Sequence, residues 1–232
     1  MKNRIYSKQT KLADIVSSNP IIISVLERLA IKFGFGEATI GQICSKYDFS
    51  PELLIEICNI YTIDGYKPTI EKISLEDITK LLDYLLSSHN YYNKKSLPAL
   101  HKKIHKLLEK GSLDNKKILN KFYDDYNAEL THHFEYEEKE VFPYVRNLIE
   151  KKKGREKNKI TISDFEKNHT NIEEKLADLK SIVLKYLPES YPQQIIKDVL
   201  LDIFNIEADL IKHTKVEDLL LVPLVLKLER QK

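Results

Sequence analysis

Glycine and cysteine are scarce in this sequence, and each shortage excludes a class of structure. Six glycines in 232 residues, with Leu, Ile, Lys and Glu abundant, favour an all-α fold over a sheet. The two cysteines, Cys44 and Cys58, form neither a disulfide framework nor a CxxC motif, so a reducing cytoplasm is the expected setting. A hydrophobic content of 42% with 31% charged residues is typical of a globular protein with well-solvated helices.

Long apolar runs are also missing. The longest run, residues 219–226, is interrupted by Pro223 and is too short to cross a bilayer. Residues 1–11 are polar and no apolar segment follows them, so we expect no signal peptide. The net charge of +2 gives no reason to expect nucleic acid or membrane as a partner. These features together predict a cytoplasmic protein.

An internal duplication organises the chain. Residues 128–143 and 208–223 both contain a histidine with an acid four positions before it, a glutamate four after it and a proline ten after it. A further histidine precedes each of these histidines by 44 positions. The same triplet therefore occurs twice with an offset of 80 residues, which indicates a repeat. The two triplets are His89, His133 and Glu137, and His169, His213 and Glu217.

The spacing of these residues predicts a metal site. Positions four apart lie on one face of a helix, roughly 6 Å from each other, so His133 with Glu137 forms a two-ligand unit. Four helices packed as a bundle would bring four imidazoles and two carboxylates into one core. Imidazole and carboxylate suit iron, zinc or manganese, and the two carboxylates could bridge two ions. A single His–Glu pair would be read as a solvated ion pair, but repetition of the whole triplet favours a metal.

The pattern His-x3-Glu-Glu/Asp-x4-Pro, written twice with a single histidine before each copy, resembles the hemerythrin-like (HHE cation-binding) domain. It is most similar to the bacterial di-iron proteins that repair iron–sulfur clusters damaged by nitric oxide or oxidants. The resemblance implies an up-down four-helix bundle that holds two non-haem, carboxylate-bridged iron ions and binds a small diatomic ligand, oxygen or nitric oxide. The ligands it implies are His89, His133, Glu137, His169, His213 and Glu217.

We predict a small three-helix N-terminal domain at residues 1–62, a linker at 63–73 and the bundle at 74–232. The N-terminal domain resembles the one attached to the repair proteins, except that residues 33–39 replace their paired-cysteine motif. The two cysteines lie further on, at apolar helix positions, where buried and inert thiols are expected. Helix starts are predicted from proline and capping residues at Pro20, Thr39, Ser50, Ser74, Asp114, Ser163 and Ser190.

Several residues are expected to lie outside the metal site. His101 and His105 follow His89 by 12 and 16 residues, roughly 18 and 24 Å along a helix, and so belong to a solvated face. His132 is rotated by about 100° from His133 and should point elsewhere. Pro98 should kink its helix rather than end it.

Some alternatives stay open from sequence. Glu129 and Asp209, one turn before a histidine, are either second carboxylate partners of the imidazole rings or plain surface charge. Glu129 with His132, and Glu166 with His169, also spell the Glu-x-x-His signature of ferritin-like di-metal proteins. The last helix lacks the corresponding glutamate, so the His-x3-Glu pattern, which both copies keep, is preferred. Residues 39–61 could be a helix-turn-helix, although the second helix lacks the Arg and Lys needed to contact phosphates.

Three functions share the predicted site. The first is a di-iron protein of oxidative or nitrosative stress that repairs iron–sulfur clusters, with damaged iron–sulfur proteins as partners. The second is a module that binds or senses oxygen or nitric oxide without turnover. The third is a reductase of nitric oxide or peroxide at the open iron positions, for which Glu129, Asp209 or a tyrosine near the metals could supply protons. The ligand set alone does not choose between an enzyme and a binding protein.

Overall fold

A computed structural model describes residues 5–109, 113–150 and 169–230. This part of the chain is all-α, as predicted, and contains no β-strand beyond one isolated bridge between Lys11 and Thr39. Its α-helices are α1 (Leu12–Ser18), α2 (Ile22–Arg28), α3 (Ile40–Tyr47), α4 (Pro51–Thr62), α5 (Leu75–Tyr91), α6 (Leu97–Leu108), α7 (Leu113–Tyr136), α8 (Phe142–Ile149), α9 (His169–Lys185), α10 (Gln193–Val216) and α11 (Val222–Glu229). A short 3-10 turn covers Ile70–Lys72.

The N-terminal region contains four helices where three were predicted. Residues 12–28 are divided into α1 and α2 because Pro20 lacks a backbone N–H and disfavours helical geometry in the residue before it. Helix α2 ends at Arg28. Ala30 has a φ of 53°, and this left-handed conformation stops the helix.

Three predicted helix starts are confirmed by their capping bonds. Thr39 and Gln42 form a reciprocal capping box at the start of α3. The backbone N–H of Leu53 donates to Ser50 Oγ over 3.2 Å at the start of α4. Ser74 and Asp77 bond each other's backbone N–H in front of α5. The predicted start at Ser163 and the side chain of Asp114 lie outside the described residues.

In the part of the chain that the structure describes, three π turns interrupt the long helices, and each precedes a proline. They are π1 (Tyr92–Ser96), π2 (Glu137–Val141) and π3 (Glu217–Leu221), and they end two residues before Pro98, Pro143 and Pro223. A proline has no N–H to give to the carbonyl four residues earlier, so the ordinary helical bond is lost there. The residue before each proline instead donates to the carbonyl five residues back. The helix continues beyond each π turn, in agreement with the prediction for Pro98.

The chain divides into two compact units. The described residues of Met1–Ser88, Val145–Lys153 and Lys212–Lys232 form the first unit. Those of His89–Tyr144 and Gly154–Ile211 form the second. Helices α5, α8 and α10 contribute residues to both.

Polar contacts in the first unit attach the N-terminal helices to residues from α5 and α10. Arg28 donates to the Tyr61 hydroxyl over 2.7 Å, and the Tyr84 hydroxyl donates to the same atom over 3.2 Å. Lys212 Nζ lies 3.4 Å from the carbonyl of Ile60 and 3.3 Å from Asp64 Oδ1. The N-terminal helices therefore belong to the same unit as Lys212, the residue directly before His213. The predicted domain boundary near residue 62 stays a prediction.

The second unit has one continuous apolar core. Its largest fully buried side chains are Tyr92, Tyr126 and Phe134. The leucines and isoleucines of α6, α7, α9 and α10 surround them, at the three- and four-residue spacing of helices that bury one face. The residues of this core are far apart in sequence but contiguous in space. They pack against the ends of the helical segments that carry His89 and Glu137.

No helix in the described part of the chain is long and apolar enough to cross a membrane. Helix α4 carries the residues considered for DNA recognition, and most of them are buried: Leu53, Leu54, Glu56, Ile57, Cys58, Asn59, Ile60 and Tyr61. A helix enclosed in this way does not offer a basic face to a groove.

Candidate metal centre

The His89 ring is completely buried near the end of α5 and contacts a carboxylate through each of its nitrogens. Nε2 lies 3.0 Å from Glu137 Oε2, and Nδ1 lies 3.0 Å from Glu138 Oε1. Phe134 stacks on the ring at a centroid distance of 4.1 Å, and Phe142 lies 5.5 Å away. When Nδ1 donates its proton to Glu138, Nε2 presents a lone pair towards Glu137, which is the tautomer that a metal ligand needs.

The Glu137 carboxylate is fully buried and contacts two imidazoles. Its Oε2 atom faces His89, and its Oε1 atom lies 3.1 Å from His133 Nε2. Glu137 is the first residue of the π2 turn, and its carbonyl accepts a hydrogen bond from the backbone N–H of Phe142, five residues later. A carboxylate whose two oxygens face two different histidines has the arrangement of a bridging ligand.

The second copy of the motif repeats this local geometry. His213 Nε2 lies 3.1 Å from Glu217 Oε1, and Glu217 opens the π3 turn as Glu137 opens π2. Both side chains are buried. The same relation between histidine, glutamate and proline therefore gives the same structure twice.

Four of the six predicted ligands come together as one group. Among the described residues, His89, Glu137, His213 and Glu217 each offer a ligand atom, and these atoms all lie within 4.8 Å of one another. His133 adjoins the group through Glu137. The side chain of the sixth predicted ligand, His169, lies outside the described residues, although α9 begins there.

The residues fit a metal cation on electrostatic grounds. Two carboxylates buried within 4.8 Å of each other repel strongly in a medium of low dielectric constant. A buried charge is tolerated when an opposite charge or a metal compensates it. Imidazole nitrogens and carboxylate oxygens are good ligands for iron, zinc and manganese. The donor set therefore suits one or two divalent or trivalent cations.

Asp209 accepts a hydrogen bond that the sequence did not indicate. Its carboxylate is buried, so it is not plain surface charge. The Tyr92 hydroxyl donates a hydrogen bond to Asp209 Oδ2 over 2.8 Å, across 117 positions of sequence. Glu129, its counterpart in the other copy, is half-buried.

Glu138 is the residue near the site that sequence reasoning missed. It follows Glu137 directly. Because successive helical residues point about 100° apart, the residue after Glu137 was not expected to contact the same site. The acid in this place recurs as Asp218 in the second copy. That recurrence is the signal that could have singled it out.

The histidines and cysteines expected to lie outside the site do so. His132 is exposed, and so are His101 and His105, whose rings are 6.5 Å apart on α6. His101 stacks on Tyr123. Cys44 and Cys58 are buried and free, and burial raises the pKa of both thiols to about 12, which makes them inert at neutral pH.

Comparison with known proteins agrees with this geometry. Residues 95–225, more than half of the chain, match the family described as the hemerythrin HHE cation binding domain. The chain belongs to this family. The matched region includes every predicted ligand except His89, which lies six residues before it. No curated protein matches the sequence significantly.

Proposed function

We propose that this protein holds two iron ions through His89, His133, Glu137, His169, His213 and Glu217, with both glutamates as bridges. The observation that carries the proposal is the position of Glu137, whose two oxygens lie 3.0 and 3.1 Å from the rings of His89 and His133. A pair of iron ions supplies open coordination positions and reversible electron transfer for oxygen or nitric oxide. His169 enters the ligand set by the repeat in the sequence.

The protein's own residues prepare this site before metal binds. Glu138 holds the His89 ring in the tautomer that directs Nε2 to the site, and Phe134 and Phe142 keep the ring from rotating. The burial of all four grouped ligands excludes water and strengthens their attraction for a cation.

Within the hemerythrin class, we propose a role in oxidative or nitrosative stress, with repair of damaged iron–sulfur clusters as the activity. The resemblance of the repeated motif to the repair proteins supports this role. Because Cys44 and Cys58 are buried with a raised pKa, any transfer of iron would go through the histidine and glutamate ligands rather than through thiolates.

Metal analysis of the purified protein tests the centre. We expect about two iron ions per chain, the number typical of carboxylate-bridged sites in helical bundles. The double variant Glu137→Gln/Glu217→Gln should lose both ions, whereas His101→Ala/His105→Ala, which changes two exposed histidines, should keep them. Equal metal content in the two double variants would contradict the assignment.

Exposure of the iron-loaded protein to oxygen or nitric oxide tests the activity. Restoration of a nitric oxide-damaged iron–sulfur enzyme in a mixed assay, absent with the Glu137→Gln/Glu217→Gln variant, supports repair. Spectral changes that reverse when the gas is removed, without restoration, favour a binding or sensing module. Steady consumption of the gas with an added reductant favours a reductase.

A further inference from the structure

Tyr92 and Asp209 form a buried polar pair beside an aromatic stack that leads to His89. The phenol of Tyr92 has no exposed surface, and its hydroxyl donates to Asp209 Oδ2 over 2.8 Å. The Tyr92 ring lies 5.7 Å from Phe134 at 20° between the planes. Phe134 in turn lies 4.1 Å from the His89 ring at 15°. Three nearly parallel rings therefore connect the phenol to a proposed metal ligand.

The bundle does not need a tyrosine at this place. The residue 80 positions later, equivalent to Tyr92 in the second copy of the repeat, is Ile172, which is also buried in the core. An aliphatic side chain therefore satisfies the packing there. The hydroxyl of Tyr92 and its hydrogen bond to a buried carboxylate are particular to the first copy.

We propose that Tyr92 is a redox-active electron donor, with Asp209 as the acceptor of its proton. In this step one electron leaves the phenol, the O–H bond of Tyr92 breaks and a new O–H bond forms at Asp209 Oδ2. The products are a neutral tyrosyl radical and a neutral carboxylic acid, and a one-electron oxidant is reduced by one electron. In the protein, that oxidant is the oxidised metal centre beside His89. This assignment is the one part of the proposal that rests on the proposed function.

The surroundings of the pair favour this reaction. Loss of an electron without loss of the proton would leave a cationic phenol in a core of low dielectric constant, where an isolated charge is costly. Asp209 removes that cost because its oxygen is already at hydrogen-bonding distance. Complete burial also protects the radical from reductants and from other radicals in solution.

Tyr126 provides a matched control in the same core. It is equally buried, and burial raises the pKa of its phenol. Among the described side chains, no acceptor lies within hydrogen-bonding distance of its hydroxyl. Tyr126 therefore offers a buried phenol without a carboxylate to take the proton.

The test uses the metal-free full-length chain, so that it does not depend on iron binding. A photogenerated ruthenium(III) tris-bipyridine complex serves as the oxidant, ascorbate then quenches accessible radicals, and electron paramagnetic resonance measures the tyrosyl radical that persists. We expect a persistent radical in the parent and in Tyr126→Phe, and its loss in Tyr92→Phe. Asp209→Asn should reduce its yield by about tenfold or more, because a charged hydrogen-bond acceptor is lost.

Circular dichroism of each variant verifies that it is folded. A persistent radical that survives in Tyr92→Phe, or the absence of one in the parent, would overturn the proposal. Failure of iron binding would leave this result unchanged and would count only against the proposed metal centre.

Discussion

Glu138 Oε1 lies 3.0 Å from Nδ1 of His89, while Nε2 of the same ring faces Glu137. The ring is thus held between two consecutive acidic residues that have different tasks. Glu137 is completely buried and faces the proposed metal site, whereas the Glu138 side chain is 35% exposed. Glu138 therefore contacts the ring of a proposed metal ligand without itself being enclosed in the proposed site.

Removal of this orienting carboxylate should weaken metal binding. We expect Glu138→Gln to lower metal affinity by about 10–100-fold, as is typical when the hydrogen-bond partner of a ligand histidine is changed. Competition with a chromophoric chelator measures the affinity. Glu135→Gln is the control, because Glu135 lies in the same helical segment but pairs with Lys139 at the surface. An unchanged affinity in Glu138→Gln would show that Glu138 does not hold the ring.

The prolines after the two glutamates should be important for metal binding. Pro143→Ala or Pro223→Ala supplies the missing N–H, so that an ordinary helical bond can replace the π turn and rotate the glutamate out of place. We expect weaker metal binding, and a thermal midpoint of the metal-free protein no higher than that of the parent, because the buried residues after the turn would also rotate by about 100°. Circular dichroism and the chelator competition measure the two properties.

Pro68→Ala is the control for this pair, because Pro68 lies outside the helices and no π turn precedes it. Full metal affinity in both Pro143→Ala and Pro223→Ala would disprove a role for the π turns in the site.

Two side chains of α7 should differ strongly in their contribution to stability. Leu130 is fully buried in the core of the second unit, whereas Ile118 is 49% exposed. Leu130→Ala should lower the free energy of unfolding by about 2–5 kcal/mol, because it leaves a cavity. Ile118→Ala should change it by no more than about 0.5 kcal/mol. Urea titration of the metal-free protein measures both, and equal losses would contradict the described burial.

Glu52 and Glu56, one turn apart on α4, should affect stability in opposite directions as pH changes. Burial is the largest cause of the raised pKa of Glu56, which also accepts a hydrogen bond from Tyr66 over 2.7 Å. Because the native state holds this proton more tightly than the unfolded chain, Glu56 stabilises the fold below its unfolded pKa. That contribution is lost as pH rises through the native pKa.

For Glu52 the hydrogen bond with Lys8 lowers the pKa, so its contribution is present above the unfolded pKa and is lost as pH falls. The unfolding free energy of the parent minus that of the variant should therefore fall with rising pH for Glu56→Gln. The same difference should rise with pH for Glu52→Gln. Urea titrations between about pH 4 and pH 7, spanning the ordinary glutamate range, measure it. Parallel pH profiles for the two variants would contradict the assignment.

The local parts of the fold could be predicted from the sequence. Capping residues such as Thr39 and Ser50 act within three positions of themselves, so the sequence contains the whole interaction. The grouping of His89 with Glu137, His213 and Glu217 followed from the repeat, because residues that recur at a fixed period occupy equivalent places in a duplicated fold.

Other features depend on contacts between distant parts of the chain. Asp209 lies one turn before His213 and also accepts a hydrogen bond from Tyr92, 117 positions earlier, and no local spacing indicates that pair. The orientation of Glu138 depends on the π2 turn, whose width is set by a proline five residues further on. A helix start was predicted at Pro20, but the separate helix α1 before it was missed because the apolar spacing continues through both segments.

The π turns also change how the two halves of each long helix must be read. A π turn holds one residue more than an α turn, so the residues after it are displaced by about 100° in rotational phase. A helical wheel drawn straight through Glu137 or Glu217 therefore assigns the later residues to the wrong side, and it has to be restarted after Val141 and Leu221. For the same reason, deletion of one residue between Glu138 and Val141 would be absorbed by conversion to regular helix, and the segment from Phe142 onward would keep its outward and inward faces.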